Sequence, residues 1–266
     1  MKYFTGTMII MSVAVMVLVG GQALAAEVAP PAPVSGYLFD EGSGTTTADA
    51  FGSNDGTLVN GPVWTNDTPF AYAGNYSLSR TNTIEHVNLG TPADLDFIPQ
   101  TDSFTLAGWL QTCAGYTDHL GTGARLIIKG PSTGTEGQYN LQGNQTHVQA
   151  WAGGTGIGVY SFLPTTPPPG AWHHLAVVVT PTTQTLYVNA VVQASGGVGT
   201  VTSTNAVTLM QEIPLPAPGQ YTTDNRYDEL ALWDTALSAD NIEWLANNSI
   251  KDLLSAATPG TLIYGK

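Results

Sequence analysis

The stretch Tyr227-Asp228-Glu229-Leu230-Ala231-Leu232-Trp233-Asp234-Thr235-Ala236-Leu237-Ser238 reads as a β-strand, a turn and the start of a helix. At period two, Tyr227, Glu229, Ala231 and Trp233 fall on one face, and Asp228, Leu230 and Leu232 on the other. Ser238 stands where an N-cap belongs, and Asp240 lies in the first turn, where the helix dipole favours a carboxylate. Leu237 before the cap and Ile242 after it are spaced for a hydrophobic staple. A closing strand that opens on two acids and runs into a short capped helix is an unusual end for a β-rich chain.

Working back from that end, alternating runs recur between Gly, Asn, Thr and Pro turn signals, which predicts an all-β fold. Phe104, Leu106, Gly108 and Leu110 share one face of a strand over Ser103 to Gln111, with Ala107 and Trp109 on the other. Leu175-Ala176-Val177-Val178-Val179 is apolar on both faces, so this strand is expected to be covered on both sides. It pairs in a hairpin with Gln184 to Val192 around Pro181-Thr182-Thr183. About a dozen such strands in one chain are most economically arranged as a two-sheet antiparallel β-sandwich with one short C-terminal helix.

The N-terminus has the pattern of an export signal: Lys2, an apolar run from Met8 to Leu18, and Ala23-Leu24-Ala25 as a small-x-small cleavage site. Residues 1–25 are therefore expected to be removed and the protein to be secreted, extracellular or periplasmic. A Pro/Ala-rich lead-in, 26–33, is expected to be extended and poorly ordered. A domain over 34–250 and a tail over 251–266 follow. No further apolar run predicts a membrane span in the mature chain. The net charge of −13 excludes nucleic acid as a natural partner, since phosphate binding needs Lys and Arg clusters. Cys113 is the only cysteine, so no intrachain disulfide forms.

Several segments, in order, resemble laminin-G-like, concanavalin-A-like jelly-roll domains. They are Tyr37-Leu38-Phe39-Asp40-Glu41-Gly42, the loop Asp49 to Leu58, Phe104-Thr105-Leu106-Ala107-Gly108-Trp109, Trp172-His173-His174-Leu175-Ala176, Leu186-Tyr187-Val188-Asn189-Ala190 and the Asp228-Glu229 ending. Asn189-Ala190 departs from the Asp-Gly turn of that pattern. The resemblance implies a concanavalin-A-like jelly roll, with first and last strands side by side, acting as a binding module for a glycan or an extracellular or cell-surface protein.

Placed side by side in that way, Asp49, Asn54 and Asp228 are candidate ligands for Ca²⁺, which takes carboxylate and carbonyl oxygens. The competing role for Asp49 and Asn54 is to hold a turn through side-chain-to-backbone hydrogen bonds. His173 and His174, adjacent on a strand, point to opposite faces and do not suit one metal ion. Trp64, Tyr116, Trp151 and Tyr221 lie in or near loops and are candidate sugar-stacking residues, with packing as the alternative role. A glycan-cleaving enzyme would need paired carboxylates across a cleft. Asp94 and Asp96 have alternate spacing but sit in an apparent loop, and Asp228 and Glu229 are expected to face opposite ways. A purely structural surface protein is the third reading.

Overall fold

The computed structural model describes residues 28–80, 84–112, 124–130, 137–143, 147–159, 170–211 and 225–256. The export signal, Cys113, Tyr116, Tyr221 and the end of the tail lie outside the described residues. In chain order the strands are β1 (Ser35–Tyr37), β2 (Thr46–Thr47), β3 (Gly56–Val59), β4 (Val63–Thr65), β5 (Ser77–Arg80), β6 (His86–Gly90), β7 (Phe104–Gln111) and β8 (Ala124–Lys129). They continue as β9 (Tyr139–Gly143), β10 (Val148–Ala152), β11 (Thr155–Val159), β12 (Trp172–Val179), β13 (Thr183–Val188), β14 (Val191–Gly197), β15 (Val207–Leu209) and β16 (Asn225–Trp233). Two short helices follow, α1 (Ala239–Leu245) and α2 (Asp252–Ala256).

These strands form two antiparallel sheets. The first runs β14-β13-β12-β7-β16-β5-β4, with β1 also pairing β16; the second runs β11-β10-β9-β8-β15-β6-β3-β2. Apolar alternation fills the space between them. Phe104, Leu106 and Leu110 of β7 and Leu175, Val177 and Val179 of β12 pack with Tyr139, Leu141, Val148 and Ala150 of the second sheet. Phe97, Phe104 and Tyr139 form an aromatic knot with ring centroids 5.2 to 5.9 Å apart.

The other face of the first sheet is also apolar. Ala107, Ala176, Val178, Tyr187, Ala231 and Trp233 pack there with Leu237, Ile242, Leu245, Ile250 and Leu253 of the helical segment. This is why β12 is apolar on both faces. Ser238 Oγ accepts the Asn241 amide at 3.2 Å while the Asn241 side chain accepts the Ser238 amide at 3.1 Å, so α1 starts at the expected cap. The lead-in is seated on this layer: Trp233 Nε1 donates to Pro31 O at 2.8 Å and Asn241 Nδ2 to Val28 O at 3.0 Å.

Two features differ from the simple alternation. The run Gln184 to Val192 breaks at Asn189 and Ala190, whose φ values of 47° and 64° turn the chain back into a further strand, β14. More consequentially, β16 carries a bulge. Asp228 pairs with Trp109 and Ala231 with Ala107, so two residues, Glu229 and Leu230, stand opposite Gly108 alone. Glu229 takes φ 49° to make room. The phase therefore shifts: Tyr227, Leu230 and Leu232 face the inter-sheet core, and Ala231 and Trp233 the helical layer. Tyr227 does not share a face with Ala231 and Trp233, because the extra residue intervenes.

Gly108 is required at this point, since a Cβ there would meet Leu230 Cδ2 at 2.2 Å. Gly108→Ala is expected to lower the urea midpoint by the equivalent of ~1–3 kcal/mol, the usual cost of overpacking, with the m-value unchanged.

Candidate functional site

The bulge in β16 places two buried carboxylates under the C-terminal segment. Glu229 accepts hydrogen bonds from the Ser249 hydroxyl and, at 3.0 Å, from the Ile250 amide. Asp228 Oδ1 accepts the Glu229 amide at 2.9 Å, and its Oδ2 has no partner among the described residues. Above them, Lys251 Nζ donates to Asp40 Oδ2 at 2.8 Å and lies 4.1 Å from the centroid of the Tyr72 ring. A cleft of about 600 Å³ between Phe70–Ala73 and Asn247–Ser255 runs beside this cluster. Glu229 fastens the C-terminal segment to the sheet.

Burial pushes the Glu229 carboxyl up to about 7 and the Asp228 carboxyl well above the ordinary carboxylate range; the charge of Glu229 adds to the effect on Asp228. Glu229 thus holds its proton more tightly folded than unfolded. Its contribution to stability is full below the ordinary value near 4.5 and is lost as pH rises through about 7. His173 and His174, pushed down by burial to about 4 and about 3, act the other way, losing their contribution as pH falls from 6.5 towards those values. The two effects oppose in mild acid, so the variant comparison isolates the carboxyl. Between about pH 5 and pH 8 the wild type is expected to lose melting temperature relative to Glu229→Gln. Parallel melting-temperature profiles would show that Glu229 does not titrate there.

Asp49, the first residue expected to ligate calcium, is spent on the backbone. Its Oδ1 accepts amides of Gly36, Phe51 and Gly52 at 2.9, 3.1 and 3.0 Å, and its Oδ2 accepts the Asn54 amide at 3.1 Å. Asn54 Nδ2 donates to Ser35 Oγ at 2.8 Å and Asp94 Oδ2 at 3.1 Å. First and last strands do lie side by side, with Gly36 opposite Ala231. Asp228, however, is buried three residues further along β16, held by its own neighbour. Among the described residues no three His, Cys, Asp or Glu side chains are grouped to hold a metal ion. Asp49, Asn54 and Asp228 as arranged do not fit Ca²⁺, because the Asp49 oxygens already face four N–H donors. Asp49→Asn sets an amide NH₂ against one of those donors. It is expected to cost about 1–3 kcal/mol, equally in EDTA and in excess Ca²⁺, by thermal unfolding.

The outer face of the second sheet has another character. Register places Thr57, Asn88, Thr208, Ile128, Asn140 and Trp151 in one row across it, ending at Gly156. The neighbouring row is Arg125, Gln142, Gln149 and Gly158. The amides are linked: Asn140 Nδ2 donates to Gln142 Oε1 at 3.1 Å, and Gln142 Nε2 to Gln149 Oε1 at 2.8 Å. Asn140 Oδ1 is left without a partner among the described residues. Trp151, half-buried, lays its indole along Gly156, where a Cβ would come within 2.5 Å of Nε1. Both Trp151 and Trp64 lie in strands, not loops, and they are not brought together. Trp64 is in β4, at the far end of the first sheet, with Nε1 bonded to Gly44 O at 3.2 Å. The alternation Tyr139-Asn140-Leu141-Gln142 and Val148-Gln149-Ala150-Trp151 carried the signal for the amide rows.

The carboxylates expected of a glycan-cleaving centre are otherwise engaged. Asp96 accepts from Lys129 and from Gln138, and these hydrogen bonds hold it below its ordinary value. Asp94 lies in a single 3₁₀ turn, Ala93–Leu95, and is bonded to Asn54. His174 is buried against the Trp109 ring, with centroids 5.4 Å apart, and His173 faces Asn189. Among the described residues no helix is long and apolar enough to cross a membrane.

A family model described as the concanavalin A-like lectin/glucanases superfamily, of laminin G type, matches residues 81–243, and the chain belongs to this family. No curated protein sequence matches the chain. Among solved structures, the binding domain of Paraclostridial Mosquitocidal Protein 1 superposes with a TM-score of 0.63 at 14% identity, covering 81% of this chain and 52% of that one. The botulinum neurotoxin serotype G binding domain gives 0.59 at 11% identity, covering 80% and 50%. The serotype D binding domain gives 0.59 at 9% identity, covering 81% and 50%. The chain spans about half the length of these structures, and at such identities the likeness is one of fold: a jelly roll that is found in binding domains.

Proposed function

We propose that this member of the concanavalin A-like lectin/glucanase superfamily is an exported, non-catalytic module that binds a glycan along the outer face of its second sheet. The observation that supports this reading is the pair of rows Asn140–Trp151–Gly156 and Arg125–Gln142–Gln149. A sugar presents a flat C–H face and a rim of hydroxyls. An indole lying along the sheet suits the first, and amides held in a fixed orientation suit the second. Asn140 Oδ1 has no partner among the described residues, but it is buried beneath the rows and not open to solvent. Asn140, Gln142, Gln149 and Arg125 are 0 to 3% exposed, so the part of the rows open to a ligand is the half-buried indole of Trp151 and its neighbour Gly156, held in place from behind by the amides.

The outer face of the first sheet is covered over its apolar half by the helical segment, and at its other end Gln111, Trp172 and Arg226 are bonded to Asp67. No carboxylate pair stands on the polar rows. The reading is therefore of recognition without cleavage.

Screening on a glycan array, followed by calorimetric titration of the strongest binder, tests this. Trp151→Ala is expected to weaken binding at least about tenfold, or ~1.4 kcal/mol, while Trp64→Phe leaves it unchanged. Undiminished binding by Trp151→Ala would move the site elsewhere. Release of new reducing ends from the bound glycan would turn the reading to an enzyme.

A further inference from the structure

Glycine in the body of a strand is ordinarily a loss, since it costs backbone entropy and brings no side chain to pack. The edge strand β11 carries two, Gly156 and Gly158, which register sets opposite Trp151 and Gln149 of β10. Val148, Ala150 and Ala152 of β10 face the core, so Trp151, Gln149 and these two glycines lie on the outer face. Neither glycine takes a positive φ, so no backbone conformation demands them. At each, a side chain of β10 leans across onto the bare backbone. A Cβ at Gly158 would meet Gln149 Cγ at 2.7 Å.

At Gly156 the obstacle is the indole alone. A Cβ there would stand 2.5 Å from Trp151 Nε1, 2.8 Å from Cε2 and 3.0 Å from Cδ1. A methyl group in the ring plane, in line with the N–H, would be much further from the two carbons than from the nitrogen. Near-equal distances put it over the ring instead. One face of the indole therefore rests on Gly156, and the exposure left to the half-buried ring belongs to its other face and rim. Gly156 is itself exposed, so the pair lies at the surface.

We propose that Gly156 is the positioning residue of the sugar site, the bare Cα on which Trp151 is laid flat to receive the C–H face of one ring of a neutral glycan. This rests on the reading of Trp151 as the stacking residue. Stacking uses a whole ring face, and a side chain at 156 would prop the indole up and tilt that face away. The neutral character of the ligand follows from charge. Neither β10 nor β11 holds a charged residue, and Arg125 of the neighbouring row is buried. A uronate or sulfate would find no cation there and would be repelled by a net charge of −13. A cross-strand aromatic ring also steadies an edge glycine, so the experiment has to separate that structural role from binding.

The probes are hexaoses of β-linked glucose, galactose, mannose and xylose, titrated by calorimetry and by NMR. The indole N–H signal of Trp151 is assigned by its loss in Trp151→Phe. Gly156→Ala is expected to move that signal before any sugar is added, and to weaken the best hexaose as much as Trp151→Ala does. In the wild type the bound hexaose is expected to shift the Trp151 indole and Gly156 amide signals together. Absence of that joint shift overturns the proposal, whether or not the alanine variant folds. An unmoved indole signal in Gly156→Ala overturns it too. So does full affinity in that variant, which would leave the glycine a purely structural part. A preference for uronate or sulfated chains overturns the choice of a neutral ligand. Undiminished binding by Trp151→Ala is a different failure: the stacking reading falls, and the proposal with it.

Discussion

One extra residue in β16 sets most of this structure. Glu229 and Leu230 together oppose Gly108, and only glycine permits Leu230 to come so close. That insertion puts Tyr227 and Leu230 on the same side despite their odd spacing. Leu230 and Leu232 can then fill the inter-sheet core, while Ala231 and Trp233 supply the floor for the helices. It also turns Glu229 towards the C-terminal segment beside the buried Asp228, where a regular strand would have sent one of the two into the core. The helical layer, the buried acids and the docking of the lead-in on Trp233 follow from that local geometry.

What was legible in the sequence is what local pattern governs. The cap at Ser238, the two faces of β7 and the double-sided burial of β12 all rest on residues close in the chain, and period and composition reveal them. The phase of β16 was not legible, because it depends on a partner, Gly108, more than a hundred residues away. The role of Asp49 was half legible. Its residue type and loop suggested either a turn or a metal, and only the positions of four amides decide what its oxygens do. The amide rows were written in plain alternation at 139–142 and 148–151, yet aromatic residues in loops drew the reading to Trp64. Register shows that Trp64 and Trp151 belong to different sheets.

The two outer faces of the sandwich carry opposite chemistry, and each has a structural cause. The first sheet has small and apolar residues outward, Ala107, Ala176 and Ala231 among them, so helices can lie close on it. The second sheet has amides, threonines and an indole outward. The amides there are buried and bonded to one another, while Trp151 is half-buried.

The chain enters and leaves this fold on the same side. Val28 and Pro31 are tied to α1 and Trp233, and α2 lies in the same layer. The helical layer and the row of Trp151 thus lie on opposite sides of the sandwich, three layers apart.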